Sequence, residues 1–289
     1  MPTERRACIV LLMATWAATA SAGVPEEIQQ KGRLRVAVYN DFAPFSENEK
    51  GIDVEIGSAL AAKLGVKPDL WSFPDAEKVD DDLRNVVWKG HFLWKLPLAD
   101  VMMHVPVDRH LQGKNEQVKI FAPYYAERLV VARNRNRIPN LVTLDVFASE
   151  KIGVQAETIE DSYLWNAFGG ALRKSLVHYP TAAEAAKALR QNEIAAVMGR
   201  QTVLEAVLGD DAKNFGIAPV STPGLSITGW DIGLAVKADR PELVAALDGA
   251  MSELMKEGKI QAIFKQRGLT WLPPREAQGS AAGTGSSGN

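Results

Sequence analysis

Residues 34–45 constrain the fold most. Residues 34–38 alternate apolar and polar side chains, the period of a short half-buried strand. The turn Asp41-Phe42-Ala43-Pro44-Phe45 follows at once, and residues 52–64 then read as a helix. A strand passing through a tight turn into a helix is the opening of an α/β unit. The rest of the chain has to supply the parallel neighbours that such a strand needs.

It does so by repeating the alternation. The helix at 54–64 puts Ile56, Leu60 and Leu64 on one face and ends at Gly65, a left-handed cap. Residues 99–105 form a continuous apolar run with Asp100 inside it, a buried strand. Short strands are predicted at 129–131 and 152–154. Thr181 and Glu184 make a capping box, in which hydroxyl and carboxylate each satisfy an orphan amide. That helix turns Ala185, Ala188 and Leu189 inward and runs into a strand at 194–198. Pro241 suits the first turn of a helix burying Leu243, Val244, Leu247, Met251 and Leu254, which Gly258 ends. A last short helix carries Ile260, Ile263 and Phe264 and closes at Gly268. The pattern predicts an α/β fold with mostly parallel sheets, and no internal repeat is visible.

Residues 1–22 read as a signal peptide. Arg5 and Arg6 form its charged start, an alanine-rich apolar run its middle, and Ala20-Ser21-Ala22 its cleavage site. The residues after Arg5-Arg6 lack the aromatic of a twin-arginine signal, and the alternative to cleavage is a retained anchor. Cys8 is the one cysteine and lies in this leader, so a cleaved chain has no disulfide, thiolate nucleophile or thiolate metal site. Cleavage removes two basic residues and one acidic one, taking the formal charge from −2 to −3. No basic block suggests nucleic acid, and no second apolar run is long enough to span a bilayer. Residues 276–289 are mostly Gly, Ser, Ala and Thr, the composition of a disordered tail.

Several segments, in order, resemble the periplasmic solute-binding proteins of the amino-acid-binding type (family 3). They are the 34–45 strand and turn, Gly51-Ile-Asp-Val-Glu55, Ala99-Asp100-Val101-Met102 with Arg109 beyond, and Phe121-Ala-Pro-Tyr124-Tyr125. Ile152-Gly153-Val154-Gln155, Tyr179-Pro180-Thr181, Ile232-Gly233-Leu234-Ala235-Val236 and Gly258-Lys-Ile-Gln-Ala-Ile complete the set. The resemblance implies a two-lobed type II periplasmic-binding-protein fold with two crossover hinge strands. Lobe 1 would comprise 24–126 plus 236–274, lobe 2 would comprise 127–235, and a tail would follow from 275. Closure of two lobes expels water and lets both contact a ligand.

A narrower match lies in residues 80–109, from Asp-Asp-Asp-Leu-Arg-Asn-Val-Val-Trp-Lys-Gly-His-Phe to Val-Pro-Val-Asp-Arg. This long, tryptophan-bearing segment resembles the MoxJ/XoxJ subgroup associated with methanol dehydrogenases that use pyrroloquinoline quinone (PQQ). It implies a periplasmic accessory of methanol oxidation with the PQQ-dependent methanol dehydrogenase as partner.

The resemblance also assigns pocket positions. Arg109 matches the arginine that clamps a ligand carboxylate, where a guanidinium pairs bidentately; otherwise it is a surface residue paired with Asp108 or Glu127. His104 stands where a serine or threonine is usual, as an anion cap, a pH-sensitive contact or a structural histidine. Thr158 keeps a ligand-loop position, whereas Glu157 replaces its glycine. Arg200 replaces the aspartate that pairs with an α-ammonium group, and Tyr39 stands where some members place an acid. Phe42 matches the stacking wall. Trp88, Trp94, Trp165 and Trp230 are candidates for the cleft or a partner surface.

An ammonium facing Arg200 with no offsetting acid would lose roughly 4 kcal/mol at about 4 Å and an effective dielectric near 20. The expected function is therefore an accessory that binds, matures or activates the dehydrogenase. The alternative is an ABC-transporter solute receptor for a small amine-free anion. An enzyme built on Glu157 is the third reading. No Ser–His–Asp set, cysteine or metal-ligand spacing supports it, and neither cofactor nor metal is expected.

Overall fold

The computed structural model describes residues 24–93 and 97–275. The predicted leader with Cys8, the 276–289 tail and Trp94 lie outside the described residues. The chain begins with α1 (Glu26–Lys31), β1 (Arg33–Tyr39), α2 (Ile52–Lys63), β2 (Lys67–Phe73) and α3 (Val79–Asp82). A π-helical turn (Leu83–Trp88), β3 (Val101–Pro106), α4 (Arg109–Lys114) and β4 (Val118–Asn134) follow. Then come β5 (Ile152–Gln155), α5 (Ile159–Asn166), β6 (Leu176–Tyr179), α6 (Ala182–Arg190), β7 (Ala196–Arg200) and α7 (Gln201–Leu208). The last elements are β8 (Phe215–Ala218), β9 (Gly229–Lys237), α8 (Pro241–Lys256) and α9 (Lys259–Gln266).

The strands lie in the order β2-β1-β3-β9-β4-β7-β5-β6, with β8 also on β4. Pairing is parallel on both flanks, among β2, β1 and β3 and among β6, β5 and β7. It is antiparallel wherever β9 or β4 takes part. The expectation of mostly parallel sheets therefore holds only on the flanks, because the two crossing strands run against their neighbours. Strand β4 pairs with β9 as far as Arg128, then with β7 and β8 from Leu129 onward.

The apolar core divides at the same place. Two buried clusters draw on residues up to Tyr125 and from Ile232 to Leu269. Two others draw on residues from Leu129 to Phe215. Trp230 packs against one cluster on each side of the division.

The predicted helices form for the reasons read from sequence. Ile56 and Leu60 are fully buried on α2, with Leu64 nearly so just past its end, and Gly65 has a φ of +69°. The Thr181 hydroxyl accepts the Glu184 amide at 3.2 Å. Pro241 starts α8, which buries Leu243, Leu247, Met251 and Leu254 and leaves Val244 half-buried. Two strand positions move. The 99–105 run is strand only from Val101, because the Asp100 carboxylate turns aside to accept the Arg35 amide at 2.9 Å and pair with Arg240 at 2.8 Å. The 194–198 strand runs instead from Ala196 to Arg200.

Residues 41–51 form a turn tied to the start of α2. Phe42 donates its amide to Ser46 at 2.7 Å, and Asp53 donates its amide to Phe45 at 2.9 Å. The Ala43–Pro44 bond is cis. Gly51 has a φ of +137°, and a β-carbon there would lie 2.1 Å from the Phe45 carbonyl oxygen, so only glycine fits.

Candidate functional site

A cavity of about 710 Å³ opens between the two halves of the sheet. Its walls are the segments leaving the carboxyl ends of β1, β2 and β3 on one side and of β5 and β7 on the other. Ligands of open α/β sheets bind at such carboxyl ends.

The first wall is aromatic and acidic. Phe42 contributes its ring from the 41–51 turn, stacked on Phe45 at 5.5 Å and set 5.5 Å from Tyr39. His104 meets Phe42 edge-on at 4.7 Å. This histidine has a φ of +62°, uncommon for a residue with a β-carbon, at a register shift between β3 and β9. Its Nδ1 lies 2.9 Å from Asp53 Oδ2, and the Tyr124 hydroxyl donates to Asp53 Oδ1 at 2.5 Å. All three side chains are buried. The carboxylate of α2 thus fixes the ring that supports the cavity's aromatic wall.

Asp82 is the buried acid of this wall. It accepts the Tyr39 hydroxyl at 3.0 Å and the Ala76 amide at 2.8 Å. Burial pushes its carboxyl up to about 6, against the opposing pull of the two hydrogen bonds. Burial, with Asp82 beside it, pushes the Tyr39 hydroxyl well above the usual phenol range. Asp41, Asp75, Glu77 and Asp108 line the same cavity.

The second wall is apolar with one cation. Ile159, Ile227 and Trp230 face the cavity with Arg200. The Arg200 Cζ lies 5.5 Å from the centroid of Phe42, across the cleft. Arg275, the first residue of the expected tail, also lines the cavity and lies 3.4 Å from Asp231 through Nε. Its amide donates to the same carboxylate at 3.2 Å, which ties Arg275 to β9.

Of the positions singled out in the sequence, Tyr39, Phe42, His104, Arg200 and Trp230 meet in this cavity. Arg109 is not among its lining residues: it is exposed at the start of α4, while Asp108 before it caps that helix and faces the cavity. Thr158 and Glu157 line a separate groove of about 640 Å³ with Tyr163, Phe168 and Pro223, which meets the cavity at Ile159. The Thr158 hydroxyl caps α5, and the Glu157 amide donates to Asp161 at 3.0 Å. The chain's own carboxylate therefore occupies this amide. Trp88, the last residue of the π-helical turn, packs half-buried against the core of the first half, and Trp165 lies outside the cavity with the Arg173 Cζ 5.0 Å from its ring centroid.

Sequence reasoning left Arg200 without an offsetting acid, and here the structure differs. Five carboxylates line the cavity with two guanidinium groups. Their positions, 41 to 108, all precede the motif in which an acid was sought. The signal was the acid-rich run from Asp75 to Asp82, of which only residues from 80 onward were read, as the start of the 80–109 segment. Among the described residues, no His, Cys, Asp and Glu cluster could hold a metal ion.

No protein-family model matches the chain. The lysine/arginine/ornithine-binding periplasmic protein of Escherichia coli K12 is 24% identical over 265 residues, 86% of this chain and 90% of that protein. An ancestral cationic amino acid solute-binding protein superimposes with a TM-score of 0.64 at 18% identity, over 83% of this chain and 97% of that one. An amino acid ABC transporter substrate-binding protein from Streptococcus pneumoniae, bound to L-arginine, gives a TM-score of 0.55 at 25% identity, over 87% and 100%. The fold is mixed α/β and matches the two-lobed, type II periplasmic binding proteins. Curated relatives and solved structures that the chain matches are named as amino-acid-binding proteins or amino acid ABC transporter substrate-binding proteins.

Proposed function

We propose that this chain is a periplasmic, binding-protein-like accessory of a PQQ-dependent methanol dehydrogenase. One observation carries the reading. In the 80–109 segment, Phe92 is 81% and Leu93 67% exposed, two adjacent large apolar side chains in solvent. Phenylalanine is enriched at protein interfaces, and contiguous exposed apolar surface marks interaction sites. The test is to mix the purified chain with the dehydrogenase and follow sedimentation and dye-linked methanol oxidation. A complex at micromolar concentration that is weakened at least tenfold in F92S/L93S supports the reading. No complex and no change in oxidation rate overturns it.

A second reading has its own observation. Five carboxylates around an aromatic wall suit a small cationic solute better than the amine-free anion inferred from sequence. The relative named for lysine, arginine and ornithine fits that chemistry. In this reading the chain delivers the solute to a permease. Calorimetric titration with L-lysine, L-ornithine and L-arginine tests it, and flat titrations at millimolar solute count against it.

A further inference from the structure

We propose that Arg200 and Phe42 form a clasp across the cleft, in which the chain's own guanidinium takes the aromatic wall that a solute cation would otherwise use. Arg200 then determines which ligands the cleft admits.

The ring is held from behind, and the arginine is placed by its backbone. Phe42 sits on a turn pinned by the Phe42-to-Ser46 hydrogen bond, with Phe45, His104 and Tyr39 around its ring. Arg200 is the last residue of β7, in register with Leu129 of the crossing strand, and directly precedes α7. Its charge acts on the buried carboxyls of Glu127 and Glu160, which burial pushes upward and Arg200 pulls back down. The two acids act on the guanidinium through their field, without an ion pair to it, and its Cζ lies 5.5 Å from the Phe42 ring centroid on the first wall. That distance is within cation–π range.

The cavity's charge gives the contact its meaning. An aromatic ring among Asp41, Asp75, Glu77 and Asp82 is a receiver for cations. Arg275, the other cation there, lies beside Asp231. Arg200 is the cation placed on the ring. A tethered group competes at an effective concentration of order millimolar, so a free guanidinium compound has to displace it. The same contact joins a residue before the crossing strand to one after it, and so biases the two lobes toward their closed arrangement.

This inference rests on the cleft being a binding surface. It is tested without the dehydrogenase, so its failure leaves the docking reading intact. The probes are L-arginine and agmatine, titrated by calorimetry into the wild-type chain, R200Q and F42L, with small-angle scattering of each protein alone. R200Q is expected to bind at least one probe ten times more tightly than the wild type. Both variants are expected to show a larger radius of gyration. F42L is expected to expand without gaining affinity, because it removes the ring as well as the clasp. Equal affinity of R200Q and wild type, or an unchanged radius in both variants, overturns the clasp. If R200Q does not fold, as judged by its thermal transition, the F42L radius decides alone.

Discussion

The two walls of the cleft are built differently. The first carries its chemistry on side chains that are themselves supported. Phe42 rests on Phe45 and His104, His104 on Asp53, and Tyr39 on Asp82. The second presents Ile159, Ile227 and Trp230 with one arginine. Specificity and stability are thus coupled on the first wall and nearly separate on the second. A change to the first propagates into the core, whereas a change at the exposed Ile159 or Ile227 of the second alters what the cleft admits and leaves the fold intact.

The sharpest way to break this contrast is at Asp53. Asp53→Ala strands the Tyr124 hydroxyl and the His104 ring in buried positions, and a loss of about 3–5 kcal/mol in urea unfolding is expected. Gly51→Ala should follow at about 2–4 kcal/mol by the same measurement, since its β-carbon meets the Phe45 carbonyl in a left-handed backbone. If either variant unfolds like the wild type, the first wall is not the braced one.

Thr158→Ala, beside the second wall, should cost about 1 kcal/mol through loss of the α5 cap, with no change in cleft binding. Asp82→Asn should change the shape of the pH profile. The folded pKa is raised from 3.8 to about 6, so the folded state binds more protons than the unfolded chain between those values. Stability contributed by this group falls as pH rises from about 4 to about 6, then levels off. Asp82→Asn should flatten that fall in unfolding curves taken across the window. Smallest of all, Ile227→Ser, at an exposed position of the second wall, should stay within about 0.5 kcal/mol of wild type.

The same contrast explains what could be read from the sequence. The 34–45 strand and turn were legible from local periodicity and turn chemistry, whereas the two lobes and the place of Phe42 in the wall were legible only through the resemblance to a family. The substitution at Arg200 was also legible. Its partner was not, since nothing local connects Arg200 to Phe42 across the cleft. Asp53 and His104 lie 51 residues apart and meet only through packing of α2 against β3. Arg109 was misleading for the opposite reason: its motif position is kept, but Asp108 rather than the arginine faces the cavity. The acids of 75–82 were not legible as a wall, because they meet the cavity only through the fold that follows β2.

Strand β4 has a mechanical consequence. It crosses between the two cores as one 17-residue strand, and the Leu129 amide donates to Thr228 at 2.9 Å just where its partners change. Rotation of one core against the other therefore cannot be absorbed by a slack loop. It has to be spread as torsion along a hydrogen-bonded strand. Its amides should stay protected from solvent exchange while the cleft opens and shuts.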